Sequence, residues 1–150
     1  MSGSALSGGK KLEAYLKKLA KQADKSATLR VGFLEGSTYP DGTSVPMVAA
    51  IQEFGAPSKG IPPRPFFRRM IAEKQDTWGP AIGDMLKANN FDAEKTLGNA
   101  GATIKGQLQR SIEDLTDPPL APATVAAKGF DKPLIDTSVM LKSVSFDVQT

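Results

Sequence analysis

The first apolar pattern along the chain repeats about every 3.6 residues, which predicts a helix from about Lys10 to Asp24. Its apolar stripe consists of Leu12, Tyr15, Leu16, Leu19 and Ala23. Lysines fill the opposite positions, as expected for an amphipathic surface helix. Residues 1–9 are small and polar, so we expect them to be flexible and to precede the helix.

Two segments alternate between apolar residues and polar or small ones, which is typical of strands that bury one face. The segment 28–34 puts Leu29, Val31 and Phe33 on one face, and 143–148 does the same with Val144, Phe146 and Val148. The two faces match in character. We therefore predict that both strands share one small sheet, antiparallel or mixed, with helices packed on its apolar face.

The middle of the chain predicts a loop, a short helix and a stiff arm. Residues 35–45 are rich in turn formers, which predicts a long exposed loop or a loose hairpin tip. A helix from Pro46 to Phe54 should end at Gly55. We expect its buried stripe to be Met47, Ala50, Ile51 and Phe54. Residues 56–65 contain four prolines and should form an extended, rigid projection.

Two longer helices are predicted in the second half. One starts at Pro65 and is kinked or interrupted at Gly79-Pro80; its stripe is Phe67, Met70, Ile71, Trp78, Ile82, Met85 and Leu86. The other runs from Asp92 to Asp114, with Leu97, Gly101, Ile104, Leu108, Ile112 and Leu115 on one side. Its glycines (Gly98, Gly101 and Gly106) each cost about 1 kcal/mol relative to alanine, so another backbone should cross close by.

The pattern as a whole predicts one α+β domain over residues 1–150: a small sheet packed against several helices, with a long exposed loop and a proline-rich arm. Near the end of the chain, Asp136 or Thr137 is expected to cap a helical turn from Val139 to Lys142.

Composition argues against an enzyme. The chain has no histidine and no cysteine, which removes the commonest general base, the usual metal ligands and the thiol nucleophile. No phosphate-binding glycine loop or nucleophile elbow occurs, and nothing singles out a pair among the sixteen acidic residues. We expect no catalytic residue, no cofactor and no metal. No apolar run approaches the ~20 residues of a membrane span, so no membrane partner is expected.

Charge is concentrated near the N-terminus. The first thirty residues carry seven basic and two acidic side chains, a net of +5, and the remainder carries a net of −2. This asymmetry indicates either a contact with nucleic acid or an acidic partner, or simply the solvated face of an amphipathic helix. The candidate residues are Lys10, Lys11, Lys17, Lys18, Lys21 and Lys25.

Aromatic residues and arginines cluster on both sides of the arm. The cluster consists of Phe54, Arg64, Phe66, Phe67, Arg68 and Arg69. Such residues are typical anchors of protein interfaces. The phenylalanines could instead lie in the core, with the arginines extending around it. Adjacent phenylalanines on a helix cannot both face one core, so one of Phe66 and Phe67 should point to a cleft or a partner.

Residues 31–71 resemble the tail-component family of long-tailed bacteriophages, whose signature is a Glu-Phe-Gly turn followed by Ile-Pro-x-Arg-Pro-Phe and a helix. Here these are Glu53-Phe-Gly55 and Ile61-Pro-Pro-Arg-Pro-Phe66. The segment 119–144 is similar to the closing region of the same proteins and of Mu-type virion morphogenesis proteins, with Ser138 in place of the usual glycine and Val144 in place of isoleucine. The two blocks occur in the family's order.

The resemblance implies a structural virion protein at the head–tail joint, assembled in the host cytoplasm and located at the neck or tail top. Proteins of this kind form rings, here a hexamer or a dodecamer. Their partners are a connector or head-closure protein on one side and a tail terminator or tail tube on the other, with possible contact to packaged DNA. The alternative is a small basic nucleic-acid-binding module that uses the lysine-rich helix.

Overall fold

The structure, a computed structural model, describes residues 3–114 and 139–150. In this part of the chain the order is α1 (Gly3–Ala23), β1 (Thr28–Phe33), α2 (Val45–Phe54), α3 (Phe66–Ala88), α4 (Ala93–Asp114), α5 (Val139–Lys142) and β2 (Val144–Gln149). The α+β prediction is confirmed, because several helices surround one small sheet. Leu115 and the expected caps Asp136 and Thr137 lie outside the described residues.

The sheet pairs β1 with β2 in antiparallel orientation. The predicted apolar faces lie opposite each other, with Leu29 facing Val148, Val31 facing Phe146, and Phe33 facing Val144. On the other face, Arg30 and Asp147 form an exposed ion pair at 3.1 Å. The prediction that the two strands share one sheet is therefore confirmed, and the structure adds their orientation and register.

Helix α4 is the centre of the fold, because it packs against α3 and against both strands. Its inward residues recur every three to four positions, and they are Thr96, Ala100, Gly101, Ile104, Leu108 and Ile112. The side chains that complete the core around it are Val45, Ala49, Phe66, Met70, Met140 and Val144. Trp78 of α3 is half-buried, and its Nε1 donates a hydrogen bond of 2.8 Å to Gln107 Oε1 on α4.

Close approach explains only one of the three glycines in α4. A Cβ on Gly101 would overlap the ring of Phe146 and come within 2.9 Å of Leu29 Cδ1. Gly98 and Gly106 have open space instead. The expected close crossing therefore exists at Gly101 alone, and side chains of the sheet make it rather than another backbone.

Two helices differ in extent from the sequence prediction, and residues 35–45 match one of its two alternatives. Helix α1 begins at Gly3, well before the expected Lys10. Helix α3 continues through Pro80 without interruption. Residues 35–45 form the hairpin-like alternative, closed by a bridge between Thr38 and Ser44.

Helix α2 is rotated relative to the prediction. Its buried residues are Val45, Ala49 and Glu53. Most of the expected stripe points outward instead: Met47 is 53% exposed, Phe54 is 65% exposed and Ala50 is also exposed, while Ile51 is half-buried. Nearly every position of this helix is apolar, so periodicity could not determine which side faces the core.

Candidate docking site at the junction of α2 and α3

The carboxylate of Glu53 fixes the junction between α2 and α3. Glu53 is only 5% exposed although it is charged. Its Oε2 accepts a hydrogen bond from the Phe67 backbone N–H at 2.9 Å, and its Oε1 accepts one from the Arg68 N–H at 3.1 Å. Glu53 therefore caps the N-terminus of α3 from the preceding helix.

The cap is needed because α3 begins without one of its own. Pro65 precedes the helix and supplies no side-chain hydrogen bond to it. The first N–H groups of a helix lack intrahelical partners and carry partial positive charge, so a carboxylate there is favourable. Each hydrogen bond to a charged group contributes about 1.5–3 kcal/mol when buried. This need accounts for the inward rotation of α2.

Arg68 pairs with the negative charge of Glu53 from the solvent side. Its Nε donates to Glu53 Oε1 at 2.8 Å, and its Nη2 donates to the Glu53 backbone oxygen at 2.9 Å. The guanidinium carbon lies 4.9 Å from the centre of the Phe54 ring, within cation–π range. Phe54 and Arg68 therefore form one ordered, exposed surface feature.

Residues 56–61 of the proline-rich segment form a closed turn, which corrects the expectation of an arm extended over 56–65. Ala56 and Ile61 exchange backbone hydrogen bonds of 2.9 and 3.1 Å around the 3₁₀ turn Pro57–Lys59. The chain then passes so close to Gly55 that a Cβ there would lie 2.8 Å from Ile61 O and from Pro63 N. Gly55 also has a φ of 75°, which favours glycine.

Two of the six candidate contact residues near the turn belong to the interior. Phe66 is 1% exposed and packs edge-on against Phe33 at a centroid distance of 6.0 Å. Arg64 is 8% exposed; its N–H donates to Gln52 O at 2.6 Å and its Nη1 to Gln52 Oε1 at 3.3 Å. Burial makes both unsuitable as contacts to a partner. Both phenylalanines line a cleft, but Phe67 is the one that remains half-buried and partly accessible.

That cleft lies between α2, β1 and the start of α3 and has a volume of about 370 Å³. Its wall is almost entirely apolar; the residues are Phe33, Pro46, Ala49, Ala50, Glu53, Phe54, Phe66, Phe67 and Arg68. Together with the neighbouring Met47 it forms what we call the α2 surface. An exposed apolar surface with a charged rim is typical of a protein-binding site.

The remaining candidates are all exposed. Arg69 borders a separate, polar groove between α3 and α4. On and just after α1, all six candidate lysines are exposed, namely Lys10, Lys11, Lys17, Lys18, Lys21 and Lys25. Lys17 forms an ion pair with Glu13 at 3.1 Å. The structure does not bring these lysines together with the α2 surface, so the two candidate sites are separate.

Residues 3–114 and 139–150 contain no group of three or more side chains able to hold a metal ion. Hydrogen bonds from the backbone and side chain of Thr43 lower the pKa of the Asp41 carboxyl, which lies in an exposed turn. No helix within the same residues is long and apolar enough to cross a bilayer.

Comparisons of the chain with protein-family models, with curated proteins and with solved structures find no match. The site therefore has to be interpreted from its own geometry. Sequence reasoning missed Glu53 as its organising residue. The available signal was a lone carboxylate in an otherwise apolar helix, followed by a helix start that has no cap of its own.

Proposed function

We propose that this chain is a structural protein of the neck of a long-tailed bacteriophage, where it forms part of a ring that joins the tail to the DNA-filled head. The observation that carries the proposal is the exposed α2 surface, held rigidly by Glu53 and by the closed turn after Gly55. The motif residues that resemble the phage family are the ones that build this junction.

The chemistry of the junction supports an assembly role. Met47 and Phe54 remain more than half exposed, although a soluble monomer would gain stability by burying them. Their position is maintained by a buried carboxylate, which is costly to desolvate and is tolerated only where its partners are fixed. A preorganised apolar surface of this kind lowers the entropy cost of binding another protein.

The direct test is location in the particle. Virions from the source of this chain, carrying an accessible epitope tag on it, are labelled with gold and viewed by electron microscopy. We expect gold at the head–tail joint. Label elsewhere on the particle contradicts the neck position, and particles without label contradict a virion role.

A substitution at the surface tests the site itself. Phe54→Ser should leave the monomer folded, because Phe54 is 65% exposed, but should prevent incorporation into particles. Leu34→Ser is the matched control, since Leu34 is 50% exposed but does not line the cleft. Arg64→Ala and Phe66→Ala are unsuitable because both residues are buried, and either change would impair folding.

A second candidate function is nucleic-acid binding by α1, favoured by the full exposure of its lysines. The experiment measures affinity for duplex DNA against salt concentration. Each neutralised phosphate contributes about −0.9 to the slope of log affinity against log salt. Lys10→Gln, Lys17→Gln and Lys21→Gln in one chain should flatten this slope if the lysine face binds DNA, and leave it unchanged if that face is merely solvated.

A further inference from the structure

Helix α1 carries an apolar stripe of which Leu12, Tyr15 and Leu16 remain exposed, while Leu19 is half-buried. Leu12 is 57% exposed, Tyr15 is 50% exposed and Leu16 is 54% exposed. The packed pairs of elements all involve α2 to α5 and the two strands, and α1 is not among them. An amphipathic helix gains most of its stability by packing its apolar face, so this face requires a partner.

The same chain therefore has two uncovered apolar features, the α1 stripe and the α2 surface. One is convex, being a helix, and the other is a cleft of about 370 Å³. We infer that the α1 stripe of one copy packs on the α2 surface of a second copy of this chain. Because the two surfaces differ, the contact is heterologous and can repeat around a ring.

Charge favours this pairing over contact between two α1 helices. Between Gly9 and Ala23, α1 has five lysines and one glutamate, so two such helices would repel each other. At 3.6 residues per turn, Lys10, Lys17 and Lys21 lie roughly 140–180° around the axis from Leu12. These three lysines therefore face away from whatever the stripe contacts, whereas Lys11 and Lys18 lie about 40° and 60° from Tyr15 and flank one edge of the stripe.

The edge of the stripe opposite Lys11 and Lys18 carries an acid, whereas the rim of the cleft carries a base. Glu13 follows Leu12 and lies about 60° around the axis from Leu16, and its side chain is 65% exposed. Arg68 stands at the rim of the cleft with its side chain 55% exposed. Within one copy Glu13 already pairs with Lys17 and Arg68 with Glu53. The two edges of the stripe still differ in charge, so a contact that turns the Glu13 edge towards Arg68 is favoured over the reverse orientation, which would bring lysines to it.

The exposed apolar area of the two surfaces predicts that an isolated pair of copies binds weakly and that a closed ring is more stable. The exposed large apolar side chains of the two surfaces are Leu12, Tyr15, Leu16, Met47 and Phe54, and each retains at least half of its area, roughly 500 Å² in all. Stable interfaces begin near ~1,200 Å² in total, so one contact alone would dissociate readily. In a closed ring each copy is held by two such contacts, since it contributes its stripe to one neighbour and its cleft to the other.

Disulfide trapping tests the inference, because the chain has no cysteine of its own. One chain carries Leu16→Cys and Ala50→Cys, and a second version carries Tyr15→Cys and Met47→Cys to allow for a shifted register. We expect oxidation of at least one version to give a ladder of covalent oligomers that ends at a closed ring. The control pairs Leu16→Cys with Gln75→Cys on the exposed side of α3 and should give none.

Each other outcome overturns the inference. Covalent dimers from Leu16→Cys alone indicate contact between two α1 helices. A disulfide formed within one chain indicates that α1 covers its own cleft. The absence of any cross-link in both versions, at concentrations where the protein associates, shows that other surfaces are used.

A complementation experiment isolates a single contact. One variant carries Leu12→Ser with Ala50→Cys, which weakens its stripe and keeps its cleft; the other carries Phe54→Ser with Leu16→Cys, which does the opposite. Each alone should remain uncross-linked, and the mixture should give dimers and nothing larger. Ladders from the mixture, or dimers from either variant alone, contradict a heterologous contact.

The inference rests on the proposed function only for the place where the ring forms. The contact between copies and the neck assignment can therefore fail separately. Gold label at the head–tail joint without the covalent ladder leaves the neck assignment and removes this contact. A ladder from a chain that does not label particles leaves the contact and removes the neck assignment.

Discussion

Helices α4 and α2 were each predicted to bury one apolar stripe, and the structure orients the two stripes in opposite ways. The apolar stripe of α4 faces inward as expected, with Leu108 and Ile112 fully buried. The expected stripe of α2 faces outward, with Met47 and Phe54 exposed. In α4 polar residues occupy the other side and leave one possible orientation. In α2 they do not, and the requirement of Glu53 to reach the start of α3 determines the rotation.

The largest expected effect on this contrast comes from truncating one buried side chain of α4 and one exposed side chain of α2. Leu108→Ala should lower the free energy of unfolding by about 2–5 kcal/mol, because it leaves a cavity in the core. Met47→Ala on the outward side of α2 should change it by less than about 0.5 kcal/mol. Urea denaturation of both variants measures the difference. Equal effects would mean that Met47 is covered and that the contrast is wrong.

Next in size is a pair of glycine substitutions within α4. Gly101→Ala should lower the free energy of unfolding by about 1–3 kcal/mol, since the added methyl group collides with Phe146 and Leu29. Gly98→Ala has open space and should raise it by about 0.5–1 kcal/mol. Thermal melts of the two variants should shift in opposite directions. A shift in the same direction would contradict the close packing of the sheet on α4.

Neutralising the carboxylate of α2 should have a smaller effect. Glu53→Gln retains an oxygen acceptor but loses the charge that pairs with Arg68 and the start of α3, so we expect a loss of about 1–2 kcal/mol in the free energy of unfolding. Glu73→Gln, an exposed carboxylate on α3, is the control and should be neutral. Amide exchange at Phe67 and Arg68 should quicken in the first variant alone.

The smallest effect concerns the turn before α2. The pKa of Asp41 is lowered in the folded state by hydrogen bonds from Thr43, so the stabilisation is present above the unfolded pKa and is lost as the pH falls through the folded pKa. The Thr43 amide resonance should therefore move only below about pH 4. Asp41→Asn should abolish this movement. Movement of the Thr43 resonance near neutral pH would contradict the assignment of this effect to the Asp41 carboxyl.

Sequence alone predicted the parts of the fold that have one polar and one apolar side. The strands were predictable because Leu29, Val31 and Phe33 alternate with residues that tolerate solvent. The α4 stripe was predictable because its apolar residues recur every three to four positions. The candidate site was predictable as a region, since Phe54, Phe67 and Arg68 do form its surface. The geometry of the candidate site was not predictable. The hydrogen bonds from Phe67 and Arg68 to Glu53 span 14 and 15 residues, and they depend on how the intervening turn closes.

The pairing of β1 with β2 has a consequence for the order of folding. Arg30 and Asp147, which meet across the sheet, are 117 residues apart in the chain. Closing so long a loop is entropically unfavourable until the intervening segments are compact. Helices α3 and α4 should therefore pair first, and the sheet should form late, as the step that covers the apolar side of α4. Until β2 has been synthesised, the nascent chain keeps that side open to chaperones and to aggregation.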